Sequence, residues 1–212
     1  MNKKNIEKCF VILSDTWPNA KCELIYFNDF QLLIAVVLSA QTTDKSVNKA
    51  LGPIFEKNQQ FNAQDLLKIG EIQFLSLIKS IGLAPTKAKN AVKIASILLE
   101  KFDSKVPLNR VDLEALPGVG RKTTNVILNI LNNEPIIAVD THVERVSKRL
   151  NLASIQSNRV EVEHELYSKI PEKFHDKTHH LLIFQGRYLC TARNPKCGSC
   201  PLEKICPKIG VT

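Results

Sequence analysis

Apolar residues recur along most of this chain every three or four positions, the spacing that gathers them on one face of an α-helix. In "TKAKNAVKIASILLE" the stripe runs through Ala88, Ala91, Val92, Ala95, Leu98 and Leu99. "DFQLLIAVVLSAQ" is almost wholly apolar, and a run of about twelve residues favours a buried helix over a strand. Cap residues mark where other helices begin and end. Asn62 opens "NAQDLLKIG", with Asp65 three residues on and Gly70 as a stop. Asn109 opens "NRVDLEAL" just past Pro107, Asp140 opens "DTHVERVSKRL", and "SNRVEVEHELYSKI" starts on Ser157 and halts at Pro171. The helix after "LPGVG" is expected to bury Val126, Ile127, Ile130 and Leu131. Only "PIIAV", Pro135 to Val139, is strand-like; with nothing to pair with, it reads as a buried connector. No repeat array, low-complexity segment or Gly/Ser linker interrupts the pattern. The expected class is all-α, with about ten helices.

At 212 residues the chain can hold one large domain or two modest ones. Its longest apolar run, Leu32 to Leu38, falls far short of the ~20 residues that span a bilayer. The start, "MNKKNIEKCFVIL", has no small-residue cleavage site and reads as a helix rather than a signal peptide. A cytoplasmic location and no membrane partner are therefore expected. The net charge of +8 favours a polyanionic partner, because each cation set against a phosphate releases condensed counterions. A merely solvated basic surface is the plainer alternative.

"LEALPGVGRKTTNVILNIL" narrows the choice. Two helical segments joined by "LPGVG" make a tight αα-hairpin over about 109–131. Gly118 and Gly120 precede a helix whose first amides have no acceptor within the helix. Those donors and the positive end of the helix dipole suit a DNA phosphate, gripped without regard to sequence. A plain packing turn is the other reading. Lys122 falls in the first turn, behind Arg121. Desolvation, the neighbouring cation and the helix start would all disfavour its ammonium form and free an amine to form a Schiff base. Otherwise it is one more phosphate-contacting cation. Asp140, eighteen residues on, is either an N-cap or a carboxylate that stabilises a cationic sugar and manages protons. Both roles can coexist.

Four of six cysteines, Cys190, Cys197, Cys200 and Cys206, are separated by six, two and five residues. One close pair inside one compact run is more like an iron–sulfur ligand set than the two close pairs usual for zinc; zinc and free thiols stay open. His175, His179 and His180 lie nearby, with an i, i+4 pair that makes a weak metal motif. The loop "TARNPK" carries Arg193 and Lys196, so a metal there could brace a basic loop. Cys9 and Cys22 receive no role.

"SAQTTDKSVNKA", "IGLAPTKAKN", "LEALPGVGRKTTNV", "IAVDTHVERV" and the cysteine set together resemble the endonuclease III family of DNA glycosylases with lyase activity, over nearly the whole chain. Thr124 stands where the family pattern commonly has a smaller residue. The resemblance implies an all-α protein of two helical domains flanking a DNA cleft. A six-helix barrel with the helix-hairpin-helix would span 24–134, and 1–23 plus 135–212 would form the domain sealed by a structural [4Fe–4S] cluster. Lys122 would be the nucleophile and Asp140 its partner, with Cys190, Cys197, Cys200 and Cys206 as cluster ligands. Gln41 and Leu83 match family positions that fill and wedge the gap left by the extruded base; a helix-end amide and a buried leucine are the bland alternatives. Gly118, Gly120 and Arg121 would contact DNA, as would Arg193 and Lys196. Expected substrates are oxidised or ring-damaged pyrimidines and abasic sites in duplex DNA. A monomer without a small-molecule cosubstrate, working at the nucleoid, completes the expectation.

Three rivals share features of the pattern. The adenine-mismatch branch lacks the hairpin lysine and usually has an extra C-terminal domain; Lys122, and an end six residues past Cys206, argue against it. A mismatch-specific thymine glycosylase of the same superfamily is a second. A non-catalytic hairpin module is the third, and it predicts DNA binding that survives loss of Lys122.

Overall fold

The computed structural model describes residues 1–132 and 134–211. Among them are ten α-helices: α1 (Lys3–Thr16), α2 (Asp29–Leu38), α3 (Asp44–Lys57), α4 (Ala63–Ile78), α5 (Ala84–Lys101), α6 (Arg110–Glu114), α7 (Arg121–Leu131), α8 (Thr141–Arg149), α9 (Arg159–Lys169) and α10 (His175–Tyr188). The all-α expectation holds, with no strand among the described residues. No helix among them is long and apolar enough to cross a membrane. The chain divides into two compact units, Glu23–Asn132 and Met1–Cys22 with Asn133–Thr212.

The first unit is built on α2, buried from Phe30 to Leu38 and packed by α3, α5 and α7. The one polar side chain in that stretch, Gln31, is satisfied by loop backbone. Its amide donates to the Gln59 and Phe61 carbonyls (3.0 and 3.2 Å), and its oxygen accepts from Phe27 N–H (2.9 Å). α4 and α5 lie side by side. Asn62 and Asp65 close a reciprocal capping box at the head of α4. Gly70, expected as a stop, takes φ 76° and kinks the helix, which resumes at once. The buried stripe of α5 also differs slightly from expectation: Ile94 is inside, while Val92 and Leu99 are half-buried. Lys87 and Ala84 join that face, turning it toward the N-terminal end. In α7 the continuous block Thr123–Leu128 is buried, and Ile130 and Leu131 lie half-buried at the tail.

The second unit centres on Phe10, Leu13, Val143, Val146, Leu182 and Leu202. α10 packs against α8 and α1. The crossing with α8 is close: a Cβ on Gly186 would sit 3.0 Å from His142 Cβ and 3.2 Å from Val146 Cγ2. "PIIAV" is irregular, with Ile137, Ala138 and Val139 buried, as a connector should be. His179 Nδ1 lies 2.6 Å from the Ala138 carbonyl oxygen and His175 Nε2 2.8 Å from that of Ile170, so both buried rings serve the core. α9 begins one residue later than expected. Asn158 is its cap, in a capping box with Glu161.

Ser157 instead gives its hydroxyl to Glu165, which also accepts from Ser154 N–H and pairs with Lys169. Lys169 first, then Ser157, holds the Glu165 carboxyl down to about 2. A carboxyl lowered on folding stabilises the fold above its unfolded value and loses that contribution as pH falls through the folded one. Glu165→Gln should therefore cost about 1–2 kcal/mol at pH 7, after allowance for solvent screening. Denaturant titrations of the two proteins should converge as pH drops from 4.5 toward about 2.

Candidate active site and cysteine cluster

α6 and α7 form the expected hairpin. Arg110 locks it from one side, donating through Nη1 to Glu114 Oε1 (2.8 Å) and through Nη2 to Asn125 Oδ1 (2.7 Å). The turn closes through Val119 N–H to the Leu116 carbonyl (3.1 Å). Its two glycines answer different demands. Gly118 sits at φ 78°, and a Cβ there would fall 2.7 Å from Asn90 Nδ2 on α5. Gly120, at φ −114°, is the N-cap of α7 and would project a Cβ into open space. Backbone geometry demands the first glycine; only an approaching partner would demand the second.

α7 begins without a side-chain cap. Seven of the ten helices are closed by an Asn, Thr or Asp side chain. The exceptions are α5, α7 and α10, the last continuing from a 3₁₀ turn. First-turn amides need an acceptor, and a ligand can supply it. Arg121 and Lys122 stand exposed at this end, above the buried Thr123–Leu128 block. That corrects one expectation. The fold does not withdraw Lys122 from water, so any desolvation must come from whatever covers the hairpin. Thr124, within that block, is fully buried.

Gln41 and Leu83 belong to the same unit. Both adopt left-handed backbone, at φ 55° and 61°. Leu83 is 62% exposed, so the buried-leucine alternative is wrong. An apolar, branched side chain held outward in that region is a strained arrangement, and such strain tends to mark functional positions.

In the second unit Asp140 caps α8, its Oδ1 accepting from His142 N–H (2.7 Å) and Val143 N–H (2.9 Å). The cap fixes the carboxylate while leaving it half-exposed.

The four C-terminal cysteines line one cavity with Val146, Gln185 and Leu202, an empty volume of about 420 Å³ counting space open to solvent. Three of the sulfurs already receive N–H donors: Cys190 from Arg149 Nη1 (3.4 Å), Cys200 from Gln185 Nε2 (3.1 Å) and Cys206 from Lys208 N–H (3.4 Å). Such donors stabilise thiolates that share a metal centre. No three Cys, His, Asp or Glu side chains among the described residues gather tightly enough for a single ion. Four thiols lining one cavity suit a polynuclear cluster. Arg149 also clasps the following loop, donating to the Thr191 and Ala192 carbonyls (2.7 and 3.1 Å), while Lys196 N–H bonds to Leu189 (2.9 Å). Arg193 and Lys196 are thereby displayed on a braced loop. Cys9 is core: burial, with Cys206 and Cys200 nearby, pushes its thiol up to about 12.

The residue pattern assigned nothing to Asn90, Arg149 or Gln185. Asn90 lay inside a quoted motif, but nothing in the spacing marks an arginine or a glutamine as a sulfur or carbonyl partner.

Comparison with known proteins places these features in company. The family of HhH-GPD superfamily base excision DNA repair proteins matches residues 34–172, and the iron-sulfur binding domain of endonuclease III matches residues 190–206. Endonuclease III of Rickettsia felis is 48% identical over 97% of this chain and 95% of its own; that of Bacillus subtilis is 45% identical over 97% and 93%. A solved endonuclease III trapped as a covalent intermediate with DNA is 44% identical, with a TM-score of 0.90 over 98% of this chain and 97% of that one.

The two hairpin glycines should separate on substitution. Gly118→Ala meets both strain and Asn90 and should destabilise by about 1–3 kcal/mol. Gly120→Ala should leave thermal and denaturant stability nearly unchanged. Equal losses would mean that Gly120 is also held by the fold.

Proposed function

We propose that Lys122 is the nucleophile of this chain, which belongs to the endonuclease III family within the HhH-GPD superfamily of base excision DNA repair proteins. It is a DNA glycosylase and abasic-site lyase with a structural [4Fe–4S] cluster. Its partner is damaged duplex DNA, bound as a monomer at the nucleoid, and no small-molecule cosubstrate enters the reaction. The substrates are oxidised or ring-damaged pyrimidines and abasic sites.

The reading rests on one observation above others: an exposed lysine in the first turn of an uncapped helix, directly behind Gly118 and Gly120. The α7 amides and Arg121 grip a backbone phosphate beside the lesion. The damaged base is extruded from the stack, and Gln41 and Leu83 occupy the gap. The Lys122 amine attacks the anomeric carbon; the bond to the base breaks and the base leaves with the electron pair. The departing base takes up one proton from the new ammonium; the bond from the anomeric carbon to the ring oxygen then breaks, that oxygen takes up a proton, and the nitrogen lone pair forms the protonated Schiff base. Removal of a proton from the adjacent carbon then expels the 3′ phosphate by β-elimination. Asp140 stabilises the cationic sugar and handles protons, with its cap bonds keeping the carboxylate in place. Arg193 and Lys196 meet the DNA backbone as ordinary phosphate contacts.

Cys190, Cys197, Cys200 and Cys206 hold the cluster, which supplies structural bracing and no step of the reaction. Lys122 disfavours the adenine-mismatch branch. A thermostable thymine-DNA glycosylase, at 23% identity and a TM-score of 0.83, shares the fold alone.

Borohydride should trap a protein–DNA crosslink on an abasic duplex, and Lys122→Met should abolish it while DNA binding persists. A non-catalytic hairpin module would give no crosslink with wild-type protein. Asp140→Asn should lower single-turnover base release by about 10²–10⁴-fold with little change in fold or affinity. Parallel loss of binding would make Asp140 a structural cap.

A further inference from the structure

Lys87 is only 5% exposed, unusual for a lysine without a carboxylate partner. It lies one turn into α5, where the helix dipole disfavours a cation, and burial pushes its ammonium below the ordinary value. A methionine or leucine would fill the same space at lower cost. What the ammonium provides is a bond to another loop: Nζ donates to Thr42 Oγ1 at 2.8 Å. Thr42 follows Gln41, while the Lys87 backbone N–H donates to the Leu83 carbonyl at 3.0 Å. The side chain of Lys87 thus reaches the residue next to left-handed Gln41, while its own helix starts at left-handed Leu83 with an ordinary first-turn backbone bond. The two loops are in contact at this point, since a Cβ on Gly82 would lie 3.9 Å from Thr42 Oγ1.

We propose that Lys87 is a positioning residue for base extrusion: it ties the Gln41 loop to the Leu83 helix start, so that both side chains enter the duplex as one rigid unit. The proposal rests on the assignment of Gln41 and Leu83 to the gap. A loop carrying Gln41 alone can swing about its ends. With Thr42 anchored to α5, the distance between the two inserted side chains is set before DNA arrives. The ordering cost of the wedge then falls on folding rather than on extrusion. The chemistry at the sugar is untouched, so the effect belongs to the extrusion step.

The test uses the full-length, cluster-containing protein and a duplex with 2-aminopurine beside a damaged pyrimidine. Lys87→Met should slow the fluorescence rise on extrusion by about tenfold, the loss expected for one hydrogen bond to a charged donor. Single-turnover base release should fall equally. Affinity for undamaged duplex should hold, and incision at a preformed abasic site should fall much less. Lys87→Arg should restore most of the rate. Thr42→Val removes the acceptor from the other side and should reproduce the defect; it also carries the test if Lys87→Met fails to fold. In a Gln41→Ala/Leu83→Ala background, Lys87→Met should add no further loss.

Wild-type extrusion in both Lys87→Met and Thr42→Val overturns the proposal. So does a full additive loss in the double-alanine background, which would make Lys87 a fold residue. If Gln41→Ala/Leu83→Ala itself leaves extrusion unchanged, the gap assignment fails instead, whatever Lys87 does.

Discussion

A helix cannot satisfy its own first amides, and this chain deals with that constraint in two ways. At seven helix starts a side chain of its own accepts the bonds: Asn2, Asn28, Thr43, Asn62, Asn109, Asp140 and Asn158. At α7 it supplies glycine and two cations in place of an acceptor. A side-chain cap contributes about 1 kcal/mol. Forgoing it only makes sense where an outside anion takes the same donors. The hairpin can leave them open because it is stiffened from elsewhere, by Arg110 reaching both Glu114 and Asn125 and by Asn90 standing behind Gly118. α5 repeats the pattern with Leu83 in the cap position. Apart from α10, which continues from a 3₁₀ turn, the helix starts without a side-chain cap are the two proposed to meet DNA.

The second unit faces a different demand. Four thiolates near one point repel one another, and burial first, then the neighbouring cysteines, push the Cys206 thiol up. Metal binding is what makes such a set stable, and the N–H groups of Arg149, Gln185 and Lys208 already point at three of the sulfurs. Arg149 links the cavity to the loop that follows it. The same guanidinium that donates to Cys190 holds the Thr191 and Ala192 carbonyls, and so fixes the loop that displays Arg193.

Much of this was legible in the residues because the physics is local. A cap followed by an apolar stripe predicts a helix start, and Asn62, Asn109 and Asp140 open helices as read. A fully apolar "LLIAVVL" can only be buried, and α2 is. The departures come where tertiary packing chooses among near-equal options. Asn158 takes the α9 cap because Ser157 is drawn away by Glu165, a partner eight residues on. A buried leucine is the plain alternative to a wedge at Leu83, yet the residue is exposed, because apolarity says nothing about which loop a residue ends on. Lys87 and Gln185 were invisible for the same reason: their partners, Thr42 and Cys200, are distant in sequence, and no short spacing encodes either pair.

Lys122 shows most sharply how an expectation can depend on a setting that the fold alone does not supply. A lysine that is to react as a free amine needs desolvation, a neighbouring cation or a helix start beside it. In the structure the side chain is exposed. On the proposed mechanism the duplex itself must then exclude water, seating a phosphate on the α7 amides and closing over the amine in the same movement. An amine left in water until that moment is screened and idle. Gly120 fits this logic as well. With nothing of the protein near its missing Cβ, the space it leaves lies beside the helix start where a phosphate must approach. On the proposed mechanism, contact with the DNA backbone completes the environment in which the lysine can react.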